Sequence, residues 1–300
     1  MVDRLCSKKP KDLPKLTAKS WALFDASSGK FLQGQFPHYK REVASLTKIM
    51  TLYVALMVLE RLDLDQNQIC LTVTREAFQI GGTSAELQEG DLISIKDLFY
   101  GLMLPSGNDA AYTIGEYFGL FLFLDQIGRI AKIKDLIDVN MKKDFPGVKD
   151  PMRYFINEMN EMAENMNLTQ TFFNNVHGMS LKLNISSAYD IGLMTCKATK
   201  HMELQKISRT RAFVSKVWTK DRGYKELFWE NTNKLLDQGF EGVKTGITPN
   251  AGPCLSALYR LEKGDGQEQM IVVVVLNCEG IEDRFTDVRK IVDWCKNTIF

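Results

Sequence analysis

Ser45-Leu46-Thr47-Lys48-Ile49-Met50-Thr51-Leu52-Tyr53-Val54-Ala55-Leu56-Met57-Val58-Leu59 joins a serine and a lysine, three positions apart, to a long apolar run. A run of this length and period predicts a buried helix. Positions i and i+3 share one helix face, so the Ser45 and Lys48 side chains lie one turn apart and can meet. The pattern S-x-x-K fixes two residues only, and roughly one match is expected by chance in a chain of this length. Ser27-Ser28-Gly29-Lys30 is a second match, inside a Ser/Gly cluster that reads as a turn. Taken alone, Ser45 reads equally well as an ordinary helix N-terminal residue.

Two further short strings change that balance. Ser106-Gly107-Asn108 follows Leu104-Pro105, which breaks an amphipathic helix expected over Ile95 to Met103. A helical pattern resumes from Asn108 to Tyr117, which puts Ser106 and Asn108 on a loop that can face a cleft. Lys244-Thr245-Gly246 opens a strand-rich final third. Alone, the first string is a turn between helices, and the second is an exposed strand start. Read jointly and in order, S-x-x-K, S-x-N and K-T-G supply a nucleophile, a base and an electropositive wall for acyl transfer without a catalytic histidine.

The rest of the chain falls into place around these strings. Residues 1–19 read as a flexible basic lead-in, with Arg4, Lys8, Lys9, Lys11, Lys15 and Lys19 against Asp3 and Asp12. Trp21 to Asp25 and Lys30 to Leu32 read as a hairpin around the turn Ala26 to Gly29, and Gly81 to Ser84 as a loop. Residues 120–150 are irregular, dense in Lys and Asp, and are read as a partly helical excursion. Met152 to Met166 and Ser187 to Thr199 read as helices. Cys254 to Arg260 and Met270 to Leu276 read as strands joined by a turn at Lys263 to Gly266. Glu282 to Asn297 closes the chain as an amphipathic helix carrying Phe285, Val288, Ile291, Val292, Trp294 and Cys295 on its apolar side. Strands at both ends and helices between them imply an α+β fold: an antiparallel sheet flanked by helices, plus a helical lobe from about 62 to 200. The expected division is the 1–19 segment and a single catalytic domain over 20–300.

Composition excludes several classes. The chain is 45% hydrophobic and 25% charged with net charge +1, which gives no electrostatic case for nucleic acid. No apolar run is long enough to cross a bilayer and no secretory h-region opens the chain, so an intracellular protein is expected unless a leader has been removed. Cys6, Cys70, Cys196, Cys254, Cys278 and Cys295 form no C-x-x-C pair and are expected as free, mostly buried thiols. His38, His177 and His201 have no metal-ligand spacing, so no metal or other cofactor is expected. His177, in Asn174-Asn175-Val176-His177-Gly178, reads as structural, with a polar role beside a site as the alternative.

Over about residues 20–297 the chain resembles the serine D-alanyl-D-alanine carboxypeptidases, the low-molecular-mass penicillin-binding proteins. The resemblance rests on Ala44 to Thr51, on Asp97 to Ala111, and on Asn231 to Leu236 followed by Glu241 to Thr248. It implies a β-lactamase/transpeptidase-like fold and a peptide substrate ending in D-alanine, with β-lactams as inhibitors. Three departures are visible. The 120–150 excursion is longer than the family usually carries. The sequence ends after its last helix, where many relatives continue into a β-domain and an amphipathic membrane anchor. It also opens without a secretion signal.

The resemblance implies these roles. Ser45 is the acylated nucleophile, and Lys48 takes its proton if kept neutral by burial beside Lys244. Ser106 relays the proton to the leaving amine, and Asn108 orients Lys48. Lys244 and Thr245 hold the substrate carboxylate, Gly246 lets an extended substrate approach, and the backbone N–H groups of Ser45 and Ile247 form the oxyanion hole. The glutamate of the class A β-lactamase pattern E-x-x-L-N is missing; the nearest string is Glu164-Asn165-Met166-Asn167-Leu168. Two alternatives stand beside the peptidase: a β-lactam or ester hydrolase on the same scaffold, and a structural subunit that retains the fold with its chemistry idle.

Overall fold

The computed structural model describes residues 13–134, 138–145, 147–179, 184–219, 223–262 and 267–299. Most of the basic lead-in, with Cys6, and the expected turn at 263–266 lie outside the described residues.

The apolar run ending at Leu276 lies in β12 (Glu268–Leu276), between β11 (Cys254–Glu262) and β1 (Ser20–Asp25). With β10 (Phe240–Gly246) and β2 (Phe31–Gln35) at the edges, five antiparallel strands run in the order β10-β11-β12-β1-β2. Strand side chains alternate between the two faces. Ile271, Val273 and Val275 pack with Trp21, Leu23, Leu255 and Ala257 under the terminal helix Asp283–Thr298. Val272, Val274 and Leu276 pack with Ala22, Phe24 and the helix Thr47–Leu62 on the opposite face. Both faces are covered, so β12 is apolar at consecutive positions instead of alternating. The terminal helix presents Phe285, Val288, Ile291, Val292 and Cys295 to the sheet as its period predicts, and Trp294 meets Trp21 edge-on at 6.3 Å.

The lead-in is not free through residue 19. The Thr17 N–H, the Thr17 hydroxyl and the Ala18 N–H all donate to Asp287 Oδ2, at 2.9, 2.8 and 2.8 Å. Asp287 lies in the terminal helix and is wholly buried, so these donors replace the water it gave up. The competing S-x-x-K match is the turn it was read as. Asp25 accepts the Gly29 N–H through its carbonyl and the Ser28 N–H through its carboxylate.

The lobe is mixed where an all-helical one was expected. The helices Thr47–Leu62, Asn108–Gln126 and Pro151–Asn165 form its core. Beside them lies a second five-stranded sheet in the order β6-β4-β5-β8-β9. It comprises β4 (Cys70–Thr72), β5 (Leu92–Ser94), β6 (Asp138–Val139), β8 (Ala212–Thr219) and β9 (Gly223–Glu230). The β8–β9 hairpin and the helix Met202–Arg209 have no counterpart in the sequence reading. The helix from Asn108 continues past Tyr117 to Gln126 and takes the start of the excursion into the core. The short strands β3 (Arg41–Glu42) and β7 (Ile185–Ser186) pair between lobe and sheet elements.

Candidate active site

Ser45 sits in a single 3-10 turn, Ala44–Leu46, that leads into the helix Thr47–Leu62. Two backbone features fix this turn. Ala44 has φ +49°, and Gly178, at φ +89°, lies so close that a Cβ there would fall 1.9 Å from the Ala44 carbonyl oxygen. Only glycine combines that φ with that approach. The Asn184 side chain ties the same region together: its Nδ2 donates to Thr47 Oγ1 at 2.7 Å and its Oδ1 accepts the Asn174 N–H at 2.8 Å.

Lys48 stands one turn beyond Ser45 and is wholly buried. Its Nζ lies 3.0 Å from Ser45 Oγ, 2.7 Å from Asn108 Oδ1 and 3.0 Å from the His177 carbonyl oxygen. Burial first, and then the charge of Lys244, hold its pKa well below the ordinary lysine value, while Asp109 pulls the other way. His177 contributes its carbonyl; its imidazole Nδ1 accepts the Met179 N–H at 3.1 Å. Burial, with Lys48 nearby, pushes the His177 ring down to about 3, so it stays neutral near pH 7. Both readings of this histidine meet here: the ring is structural, and the main chain faces the site.

Asn108 begins the helix Asn108–Gln126, and its Nδ2 donates to the Gly81 carbonyl at 2.9 Å. Ser106 adopts φ +65° and buries an Oγ that has no hydrogen-bond partner among the described residues. A buried hydroxyl without a partner costs free energy, and it is in place to meet a ligand.

Lys244 comes from β10 and is 1% exposed. Burial, then Arg284, lower its pKa to about 7. Its Nζ donates to the Thr245 carbonyl at 3.2 Å, and the Thr245 and Thr232 hydroxyls lie 2.7 Å apart. Gly246 runs against the Ser45 turn: a Cβ there would lie 3.1 Å from the Ser45 nitrogen and 3.1 Å from the Val43 oxygen. Ile247 follows, half-exposed. The fold therefore gathers the residues singled out in the sequence where the lobe meets the β10 edge.

Arg284 is a residue the sequence reading missed. Its Nη1 donates to the Gly246 carbonyl at 3.2 Å, and its buried Nε has no hydrogen-bond partner among the described residues. The signal was available, because Arg284 shares the apolar stripe of the terminal helix with Val288, Ile291 and Cys295. A guanidinium on a core-facing stripe needs an acceptor. Glu164, from the string nearest E-x-x-L-N, lines a separate cleft of about 480 Å³ with Asn157, Asn160 and Phe172. Among the described residues, no group of three His, Cys, Asp or Glu side chains could hold a metal ion, and no helix is long and apolar enough to cross a membrane.

The family model for D-alanyl-D-alanine carboxypeptidase matches residues 7–119 and 139–279. This chain belongs to the D-alanyl-D-alanine carboxypeptidase family. It is 29% identical over 290 residues to the D-alanyl-D-alanine carboxypeptidase DacD of Escherichia coli, covering 94% of this chain and 63% of DacD. It is 28% identical to the D-alanyl-D-alanine carboxypeptidase of Streptomyces sp. strain K15, covering 94% of this chain and 88% of that one. The solved Streptomyces K15 DD-transpeptidase superimposes with TM-score 0.78 at 27% identity, over 95% of this chain and 98% of the transpeptidase. Penicillin binding protein 6B from Escherichia coli superimposes with TM-score 0.73 at 27% identity, over 95% and 79%. The carboxypeptidase family member described here thus has the transpeptidase fold of these neighbours. It spans less than two thirds of the length of DacD.

Proposed function

We propose that this protein is a serine D-alanyl-D-alanine carboxypeptidase that works through a Ser45 acyl-enzyme. The observation that carries the reading is the set of groups around Lys48 Nζ. The His177 carbonyl and Asn108 Oδ1 can only accept hydrogen bonds. A neutral amine has two N–H bonds and one lone pair. Both N–H bonds are claimed by those acceptors, which leaves the lone pair for the Ser45 hydroxyl at 3.0 Å. Burial and Lys244 favour the neutral amine that this geometry needs.

In the first step the Ser45 Oγ attacks the carbonyl of the penultimate D-alanine while Lys48 takes its proton. The N–H groups of Ser45 and Ile247 stabilise the oxyanion, and such donors commonly contribute about 3 kcal/mol each to lowering the barrier. Ser106 Oγ, without another partner among the described residues, passes the proton from Lys48 to the departing amine as the C–N bond breaks. Lys244, Thr245 and Arg284 form the receptor for the terminal carboxylate, cations and a hydroxyl grouped at one strand end. Gly246 keeps β10 open to an extended peptide backbone. Water then attacks the ester from the space the D-alanine vacated. A β-lactam acylates Ser45 in the same way, but its leaving group stays tethered and blocks that space.

Intact-mass analysis after incubation with penicillin tests the reading. One added drug mass is expected, mapped to the peptide holding Ser45, together with release of D-alanine from an N-acylated tripeptide ending in D-alanyl-D-alanine. No adduct and no D-alanine release would sink the reading and favour a fold retained without its chemistry. Fast penicillin turnover would favour the β-lactam hydrolase.

A further inference from the structure

Asp109 directly follows Asn108, is 2% exposed, and lies in the first turn of the helix Asn108–Gln126. Its carboxylate accepts from Ser84 Oγ at 2.6 Å, from the Ala85 N–H at 2.8 and 3.0 Å, and from the Leu87 N–H at 3.2 Å. One side chain thereby anchors three residues, Ser84, Ala85 and Leu87, of the segment beside the site. The Ala85 carbonyl also accepts the Trp229 Nε1–H of β9 at 3.0 Å.

The anchored segment reaches the catalytic groups through its other end. The Asn108 N–H donates to the Thr83 carbonyl at 2.7 Å, Thr83 Oγ1 donates to the Ser106 carbonyl at 2.6 Å, and Asn108 Nδ2 donates to the Gly81 carbonyl at 2.9 Å. An asparagine amide has a donor end and an acceptor end. The Gly81 carbonyl claims the donor end, so Oδ1 is the atom that faces Lys48. There is little slack: a Cβ at Gly82 would approach Asn108 Nδ2 to 2.4 Å, and one at Gly107 would approach Asp109 Oδ1 to 2.6 Å.

We propose that Asp109 is a positioning residue for acylation: by anchoring the segment at Ser84, Ala85 and Leu87, just beyond the Gly81 and Thr83 carbonyls that Asn108 bonds, it holds the Asn108 amide in the orientation that gives Lys48 an acceptor. This rests on the proposed role of Lys48 as base. The Asp109 charge also acts on Lys48, favouring its protonated form. The other charged or titratable groups there are Lys244 from β10 and the neutral His177, with Arg284 acting on Lys244. Losing the Asp109 charge lets Lys48 shed its proton more readily, so the acid limb of the rate profile moves to lower pH.

The test compares the full chain with Asp109→Asn and Ser84→Ala. Acylation by a chromogenic cephalosporin is measured from pH 5 to 10, per penicillin-titrated site, alongside thermal melts. For Asp109→Asn the expected result is at least a tenfold lower maximal acylation rate and an acid limb displaced to lower pH. Ser84→Ala keeps the charge and loses one anchor, so a twofold to fivefold loss with an unmoved limb is expected. Asp109→Asn within twofold of wild type, or with an unmoved limb, overturns the proposal. If Asp109→Asn does not fold, Ser84→Ala decides alone, and an unchanged rate overturns the proposal. A wild-type chain that is not acylated at all fails the function on which the proposal rests, and is distinguished by that control.

Discussion

Lys48 and Lys244 are both buried lysines with lowered pKa values, yet the two walls that carry them are built differently. The helical wall saturates Lys48 with a hydroxyl, an amide oxygen and a carbonyl. The strand wall gives Lys244 the carbonyl of its own neighbour, at 3.2 Å, and places the Arg284 charge nearby. A saturated amine has its two hydrogens committed and its lone pair aimed, which suits a base. An under-committed ammonium beside a second cation has spare attraction for an anion, which suits a carboxylate receptor. The proposed division of labour follows from the neighbours, since the side chains are chemically the same.

The largest expected effect comes from breaking the helical wall. Lys48→Ala should lower the acylation rate by about 10³-fold or more, in the upper range for losing a general base. The melting temperature should stay within a few degrees of wild type. Acylation near the wild-type rate would remove Lys48 from the mechanism.

The strand wall should respond in a substrate-dependent way. Lys244→Gln should cut kcat/KM on a peptide with a free D-alanine carboxylate by about 10²-fold, the equivalent of about 3 kcal/mol of lost charged contact. A C-terminally amidated peptide should lose far less. The same substitution removes a positive neighbour of Lys48, so the acid limb of the acylation profile should move to higher pH. Equal losses on both peptides would show that Lys244 does not read the carboxylate.

A gentler probe is the pH profile of the unmodified protein. The proposed mechanism needs Lys48 neutral and Lys244 charged, so kcat/KM on the free-carboxylate peptide should rise as Lys48 loses its proton and fall as Lys244 deprotonates through about pH 7. Amidation of the peptide should abolish the alkaline limb. Stability carries the opposite signature. The unfolded chain binds more protons at Lys244 between about pH 7 and its ordinary value, and the Lys48 shift has the same sign. Stability from these groups therefore rises with pH across that window. Lys244→Met should flatten the rise in a series of thermal melts.

The smallest effect on activity is expected far from both walls. A chain starting at Ser20 loses the Thr17 and Ala18 donors and leaves the buried Asp287 carboxylate poorly paired. Stability should fall by about 1–3 kcal/mol, with activity per folded molecule unchanged.

The legibility of the sequence differed in the same regional way. β12 and the terminal helix announce themselves, because residues covered on both faces form an apolar run and those covered on one face form a stripe. The lobe sheet stayed hidden for two reasons. β4, β5 and β6 are two or three residues long, too short to display alternation. β8 and β9 are longer, but Val214, Trp218, Tyr224 and Phe228 lie exposed on the outer face opposite buried Val217, Leu227 and Trp229, which erases the polar–apolar contrast. In the site, the side chains of Ser45, Lys48, Asn108 and Lys244 were legible from motif spacing. The acceptors that orient them were not, because the carbonyls of His177 and Gly81 carry no residue-type signature. Arg284 escaped because it lies some forty positions beyond Lys244 and meets it only through the packing of the terminal helix on the sheet.

The position of β1 has a consequence for how the molecule is made. β1 is made before every other described strand, yet it belongs between β2 and β12, and β12 is the last described strand to be made. Until β12 emerges, β1 can pair only with β2, and a lone two-stranded hairpin is marginal in water. Trp21 and Leu23 then wait uncovered until the terminal helix arrives, and the Thr17–Asp287 bonds close across 270 positions of chain. Such long-range closure slows folding and prolongs the exposure of apolar strand edges. A nascent chain stalled before Asp283 should therefore be caught by chaperones or proteases even with Ser45, Lys48, Asn108 and Lys244 already synthesised.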